Sequence, residues 1–330
     1  MPHSVHSRAL TLFIKFILAG FVGVLLLVSI GNIGVFFTPN WPFELFISYA
    51  RHLLILSPIV GLLFLIFWRD RTLFFLVVMA AAFWPLAISS KYQKPTHKSC
   101  DQTACIRILS GNLRGRVKAL ENLAEIARQT DFDVVGIYEL PYGITDADLH
   151  ILFPQYKDIY KVTHAPDGRA LGSIMAIVSK HKLRQKTITA TTSSGGMFAP
   201  RAFISAELET QADSSTRIYA VHPRLPLSKL SQRQRDELLH SLKTNIGTAD
   251  NFIVMGDFNL TPWTPAFREL PGTRAGAPRL TYTWDAQRPW LGIPIDHILI
   301  GSDYEVVEAD VLPDIGSDHR PIIAVVAVKN

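Results

Sequence analysis

The sequence predicts an α/β domain of two packed sheets, preceded by an N-terminal third that crosses a membrane. The chain has 330 residues, more than one typical domain holds, so two parts are expected. The hydrophobic fraction is 48%, and that weight is concentrated in long apolar runs within the first ninety residues. After residue 104, short apolar runs of strand type outnumber helical stretches, which suggests two sheets packed together with helices outside.

Leu10 to Ile30 is almost wholly apolar, with only Lys15 charged. About 20 such residues cross the hydrocarbon core. A cleaved signal peptide is the plainer reading of one such run. This run is long, however, no small-residue cleavage pattern follows it, and two further runs come after. The expected spans are residues 10–30, 47–68 and 72–88, within a transmembrane region of residues 1–90. Pro58 and Pro85 are compatible with helices in lipid.

Lys and Arg in the short loops set the orientation. Arg8 precedes the first span, Gly31 to Pro42 carries neither residue type, and the second loop carries Arg69 and Arg71. This pattern keeps the N-terminus and second loop in the cytoplasm and puts Lys91 onward outside. Lys91, Lys94 and Lys98 pull the other way. Cys100 and Cys105 are the only cysteines, and both follow the last span. A disulfide between them requires an oxidising compartment; two unrelated thiols do not. Of the net charge of +5, the first ninety residues hold +3, so the rest has no marked basic excess and no nucleic-acid footprint by charge alone.

Residues 91–103 are polar, carry Pro95 and read as a linker to a domain at 104–330. Ile106 to Ser110 is a strand ending toward Asn112. Val117 to Gln129 is a helix, with Val117, Leu120, Leu123, Ala124 and Ala127 at helical spacing. Asp133 to Ile137 is a buried strand ending at Glu139. Strand, helix and strand with a short return predict a parallel crossover, which brings Asn112 and Glu139 to one sheet edge. Further strands are expected at Ser173 to Ser179, Arg201 to Leu208, Arg217 to His222, Phe252 to Gly256, Ile295 to Ile300 and Ile322 to Val328. Ser228 to Asn245 is an amphipathic helix with Leu230, Leu238 and Leu242 inward.

Several polar segments close these apolar runs: Gly111-Asn112-Leu113-Arg114, Tyr138-Glu139, Val221-His222-Pro223, Gly256-Asp257-Phe258-Asn259, Ile295-Asp296-His297 and Ser317-Asp318-His319. They offer carboxylates, amides and imidazoles. Phosphoester hydrolysis needs such groups: oxygen ligands for a hard cation, a base for water, and donors to the phosphoryl oxygens.

In this order the segments resemble the endonuclease/exonuclease/phosphatase superfamily, over about residues 104–330. The stretch Thr261-Pro262-Trp263-Thr264-Pro265-Ala266-Phe267 looks most like a bacterial subgroup with N-terminal membrane spans. The resemblance implies a DNase I-like fold, a four-layer αββα sandwich with its site at one edge of the two sheets. It implies an integral protein of the bacterial inner (plasma) membrane whose partners are the lipid bilayer and a phosphoester substrate, nucleic acid or lipid headgroup. It implies Mg²⁺ or Mn²⁺ held by Glu139, with Asn112 helping to hold the metal or a nearby Asp, and with Asp318 close by. The family usually places Gln before this Glu; here the residue is Tyr138.

The resemblance further implies that His319 is the base and Asp296 its orienting carboxylate. Asp257 would position water, and Asn259 would donate to a phosphoryl oxygen. If the strand persists past Asp257, positions 257 and 259 face the same way; an Asx turn is the alternative. His222 would donate to a phosphoryl oxygen or protonate the leaving group. His297 should point to the opposite face from Asp296. Arg114 is a phosphate contact or a surface charge, and so are Arg201, Arg224 and Arg233. Trp263, Trp284 and Trp290 stack on substrate, dip into headgroups, or pack; Trp263 is the one taken as substrate-binding. A membrane-bound binding or sensing module without catalysis is the alternative function.

Overall fold

The computed structural model describes residues 105–191, 198–209, 215–275 and 281–329, the stretch 92–96, and residues 41–49 with a few single positions of the N-terminal third. The expected membrane spans lie largely outside the described residues. Among the described residues no helix is long and apolar enough to cross a membrane. The chain divides into two compact units, residues 1–89 with Trp263–Pro265, and residues 90–262 with 266–330. In the first unit a short helix spans Phe43–Ser48.

The second unit is an α/β sandwich of two mixed sheets. One contains β1 (Cys105–Asn112), β2 (Val134–Tyr138), β3 (Asp158–His164), β4 (Ala170–Ser179), β11 (Tyr304–Val311) and β12 (Ile322–Val328), in the order β11-β12-β1-β2-β4-β3. The other contains β5 (Leu183–Ala190), β6 (Ala202–Glu209), β7 (Ser215–Val221), β8 (Phe252–Asp257), β9 (Thr273–Ala275) and β10 (Asp296–Ile300), in the order β5-β6-β7-β8-β10-β9. Each sheet has one parallel pair at its centre, β1 with β2 and β7 with β8; the other pairings are antiparallel.

Helices make those parallel pairs. A parallel connection must return the chain to the same end of the sheet, and a helix does this while covering the sheet face. Helix α1 (Val117–Gln129) links β1 to β2 and buries Ala119, Leu120, Leu123, Ala124 and Ala127. Helix α2 (Asp146–Leu152) opens with a capping box between Thr145 and Asp148. Helix α3 (Lys229–Ile246) links β7 to β8 and opens with a capping box between Ser228 and Ser231. Its buried face includes Leu238, Leu239, Leu242 and Ile246, whereas Leu230, expected inward, is only half-buried.

Alternation sorts the strand residues into layers. Ile108, Val134, Ile218, Ile253 and Ile298 face the core between the sheets. Their neighbours Leu109 and Val135 pack against α1, and Tyr219, Val254 and Leu299 pack on the α3 side. With both faces covered, the central strands read as continuous apolar runs. The order of layers is therefore helix, sheet, sheet, helix. Each fully buried Ile, Leu or Val contributes about 1.5–3 kcal/mol.

The four strands absent from the sequence reading are β3, β5, β9 and β11, and all four are sheet edges. Strand β5 alternates little and is mostly exposed, with Arg184, Gln185, Lys186 and Thr187 on the surface. Polar edge strands discourage pairing with other chains, and this same property hides them from an apolar-run search. Cys105 opens β1 and is disulfide-bonded, and Cys100 is the only other cysteine.

Candidate active site

Register brings the polar segments together. Asn112 ends β1 opposite Tyr138 at the end of β2, and Glu139 follows directly. In the other sheet Val221 pairs with Gly256, so His222 and Asp257 are the next residues along their parallel strands. Asp296 starts β10 directly across from Asp257. Gly256 permits this approach, because a Cβ there would lie 2.0 Å from the Val221 carbonyl oxygen.

Asn112 links the two sheets at this edge. Its side-chain amide donates to Asp257 Oδ2 at 3.0 Å and to Glu139 Oε1 at 3.3 Å, and its Oδ1 accepts from the Arg114 N–H at 2.9 Å. Asp257 Oδ2 also has His222 Nε2 at 3.5 Å and His319 Nε2 at 3.7 Å. One carboxylate oxygen thus faces three nitrogen groups. Burial pushes the Asp257 carboxyl up. The charge of His319, the hydrogen bond and charge of His222, and the Asn259 N–H outweigh burial and hold it well below the usual carboxylate range.

His319 Nδ1 pairs with Asp296 Oδ2 at 2.9 Å, and both side chains are buried. Thr283 Oγ1 accepts the N–H groups of Ile295 and Asp296 at 3.0 and 3.1 Å, fixing the start of β10. Ser317 Oγ donates to the Asn112 carbonyl at 2.7 Å and accepts the His319 N–H at 3.2 Å, which ties the His319 segment to β1. Burial lowers the affinity of His319 for a proton. The carboxylates of Asp296, Asp257 and Asp318 outweigh this and raise its pKa to about 10. Burial and the nearby Asp257 charge push the Asp296 carboxyl up, opposed by His319. In the metal-free protein the His319 imidazole therefore keeps its second proton beyond neutrality, and Nε2 becomes free to act as a base only as that proton is lost.

His222 Nδ1 lies 2.6 Å from Ser173 Oγ and 3.3 Å from Arg201 Nη1, and its Nε2 lies 3.5 Å from Glu139 Oε1. Glu139 is about one-third exposed, the most open of the carboxylates around His222. Its backbone has φ 48°, with Arg114 at 51° and Asn259 at 50°. Left-handed non-glycine residues of this kind collect at functional sites, where the surroundings over-determine the strained backbone.

The structure departs from the sequence expectations at several residues. Strand β8 stops at Asp257, and Asp257 Oδ1 accepts the Asn259 N–H at 2.9 Å, so the Asx turn forms. The Asn259 amide donates one hydrogen to the Pro223 carbonyl at 3.1 Å, beside the end of β7. The Asp318 carboxylate is held by Arg114 Nη1 at 3.1 Å and by the Trp284 indole N–H at 3.2 Å. Trp263 is buried within the first unit, and its indole N–H donates to the Ile47 carbonyl at 2.6 Å. It offers no ring face to a substrate, and Trp290 stands exposed. Tyr138, where Gln was expected, sends its ring into the inter-sheet core and donates to the Met255 carbonyl at 2.7 Å. His297, by contrast, points to the face opposite Asp296 as expected, between the Leu260 carbonyl and Arg274 Nε. Ser173 and Thr283 escaped the sequence reading; a lone Ser at the start of an apolar strand was the one signal available.

The endonuclease/exonuclease/phosphatase family model matches residues 108–319, from within β1 to the dyad histidine. This chain belongs to that family. Solved structures of similar fold include an endonuclease/exonuclease/phosphatase from Beutenbergia cavernae DSM 12333. The identity is 16% and the TM-score 0.57, over 69% of this chain and 72% of that one. The mannosyl-6-phosphatase Bt3783 of Bacteroides thetaiotaomicron is 19% identical with a TM-score of 0.56, over 67% and 99%. A humanized D. rerio TDP2 is 18% identical with a TM-score of 0.52, over 68% and 99%. At such identities the likeness is one of fold. A sequence comparison with curated proteins finds no match. As a family member with two mixed sheets, the chain carries its polar cluster at the edge where the ends of β1, β2, β7 and β8 meet.

A divalent cation suits this donor set. Glu139, Asp257, Asp296 and Asp318 bring four carboxylates to one edge, rich in the oxygen that a hard cation prefers. Ligand atoms of Asp257, Asp296 and His319 also lie within 4.8 Å of one another. In that trio the Asp296–His319 contact is already a hydrogen bond between buried groups. Glu139 is about one-third exposed and so keeps a side open to solvent.

Proposed function

We propose that this chain is a metal-dependent phosphoesterase that hydrolyses a phosphodiester or phosphomonoester by activated water, tethered to a bilayer by its N-terminal apolar runs. The observation that carries this reading is the buried His319–Asp296 pair with its second imidazole nitrogen 3.7 Å from Asp257. Asp296 fixes the ring so that Nε2 is the reactive nitrogen. His319 Nε2 takes a proton from water, and Asp257 holds that water by accepting its other hydrogen. The His222 N–H at Nε2 serves a phosphoryl oxygen. Asn112 keeps Asp257 and Glu139 in register across the sheets. Mg²⁺ or Mn²⁺ at Glu139 would neutralise charge on the phosphoryl oxygens.

The names of structural neighbours, a mannosyl-6-phosphatase and TDP2, keep several phosphoester substrates in play, so the reading stops at the bond type. An extracytoplasmic domain is the companion proposal, supported by the loop arginines and by disulfide-bonded Cys105. The deciding experiment is hydrolysis of bis-p-nitrophenyl phosphate by the full chain with Mg²⁺ and after chelation. Metal-dependent release of nitrophenolate that Glu139→Gln abolishes is expected. Equal rates with and without metal would reject the mechanism.

A further inference from the structure

We infer that the second sheet carries an anion site on the face away from the catalytic residues, where the buried guanidinium of Arg274 binds one oxygen of a phosphate group. This site stands whether or not the chain is a phosphoesterase, since none of its residues belongs to the catalytic cluster.

Arg274 lies in β9 directly across from Leu299 of β10. Cross-strand partners share a face, as do residues two apart on one strand, so Arg274 lies on the same side as Leu299 and His297. Residues 92 and 93 run along the outer edge of β9. Tyr92 bridges to Arg274, and the Gln93 N–H donates to the Arg274 carbonyl at 3.2 Å. Arg274 is only 1% exposed. Among the described residues its side chain makes one hydrogen bond, from Nε to His297 Nδ1 at 2.9 Å. The His297 ring is fixed in turn, with Nε2 on the Leu260 carbonyl at 2.7 Å and the Phe267 ring edge-on at 4.5 Å. Arg274 Nη1 is buried and has no partner.

A guanidinium so placed needs a counter-charge. Burial of an unpaired charge is costly, and an imidazole nitrogen supplies an acceptor but no negative charge. Burial lowers the Arg274 pKa to about 10, with only the Tyr92 phenol pulling the other way, so the group is still charged at neutral pH. Arg274 also lines a small pocket walled by Phe267, Leu270 and Leu299. Arg268 lines the same pocket, and no acidic residue does. Two guanidiniums without a carboxylate select an anion, and their fixed forks of donors match the oxygens of phosphate. The inner space holds about one water-sized group, so a single oxygen enters and the rest of the phosphate stays at the mouth. A water in that place would satisfy the hydrogen bond and leave the charge unpaired. Free phosphate and a lipid headgroup offer the same oxygen chemistry.

The test is thermal unfolding of the full chain after metal has been removed by chelation and dialysis. Two sources are compared: inorganic phosphate with the protein in detergent, and phosphatidic acid in nanodiscs with no free phosphate. At least one should raise Tm in a saturable way, by on the order of 5 °C near a hundred times Kd, while chloride at equal ionic strength should not. The source that acts identifies the ligand as the soluble anion or the headgroup. Arg274→Met keeps an apolar stem and removes the charge. It should melt at or above wild type without phosphate and lose the phosphate shift. Arg268→Gln, at a half-buried position, should fold normally and weaken phosphate binding by about tenfold. His319→Ala should keep the shift, because the catalytic edge is not involved. No shift from either source, a shift that survives Arg274→Met, or one that His319→Ala abolishes overturns the inference. If Arg274→Met does not fold, Arg268→Gln decides, and an unchanged phosphate affinity there overturns it as well.

Discussion

Asn112 and Asp257, 145 positions apart and in different sheets, are joined by a 3.0 Å hydrogen bond from the amide Nδ2 to Oδ2. The same amide reaches Glu139, so one neutral side chain sets the spacing of two carboxylates. Asn112→Ala would leave the buried Asp257 oxygen short of a donor, at a cost of about 1–3 kcal/mol. Urea unfolding should show this loss together with reduced turnover. Unchanged stability would mean that the bond contributes nothing net.

Glu139→Gln should leave the fold intact, because the side chain is partly exposed and Gln retains an acceptor for Asn112. Metal titration of activity should show the change as a lost or strongly weakened Mg²⁺ response. Full turnover at saturating metal would reassign the ligand.

The dyad predicts a pH dependence. His319 has a pKa raised from 6.5 to about 10, so in metal-free protein its contribution to stability is fully present below its unfolded value, near pH 6.5, and is lost as pH rises through about 10. Its base form, and hence activity, should increase toward alkaline pH. Removing the carboxylate in Asp296→Asn takes away a charge that raises the pKa, so the activity limb should move to lower pH with a lower plateau. His319→Ala should cost on the order of 10²–10⁴ in turnover. The double variant should lose no more than the worse single variant, since the pair works as a unit. A multiplicative loss would separate them.

Gly256 is required by packing. A methyl group there meets the Val221 carbonyl oxygen at 2.0 Å, and backbone cannot yield as a side chain can. Gly256→Ala should cost on the order of 3 kcal/mol or more, visible as a large drop in Tm or as insoluble protein. A melting curve like that of wild type would contradict the strand spacing.

The proposed location outside the cytoplasm predicts that a phosphatase reporter fused after Lys329 is active. A signal from a reporter that works only in the cytoplasm would reverse the topology, as Lys91, Lys94 and Lys98 allow.

The sequence alone determined the central strands and the long helices, because strands covered on both faces and helices with one buried face carry strong apolar patterns. It also marked Asn112, Glu139, His222, Asp257, Asp296 and His319, since each closes or opens an apolar run or lies in an ordered polar motif. The tertiary structure alone decided the edge strands β3, β5, β9 and β11: β5 is mostly exposed and polar, β9 is only three residues long, and β11 mixes Glu305, Glu308 and Asp310 with its buried apolar residues across a register shift. It decided that Trp263 is buried with its indole N–H on the Ile47 carbonyl, that Trp284 contacts Asp318, and that the Asn259 amide donates to the Pro223 carbonyl. Periodicity records which face a residue shows, whereas a hydrogen-bond partner many residues away is chosen by register and by the packing of one sheet on the other.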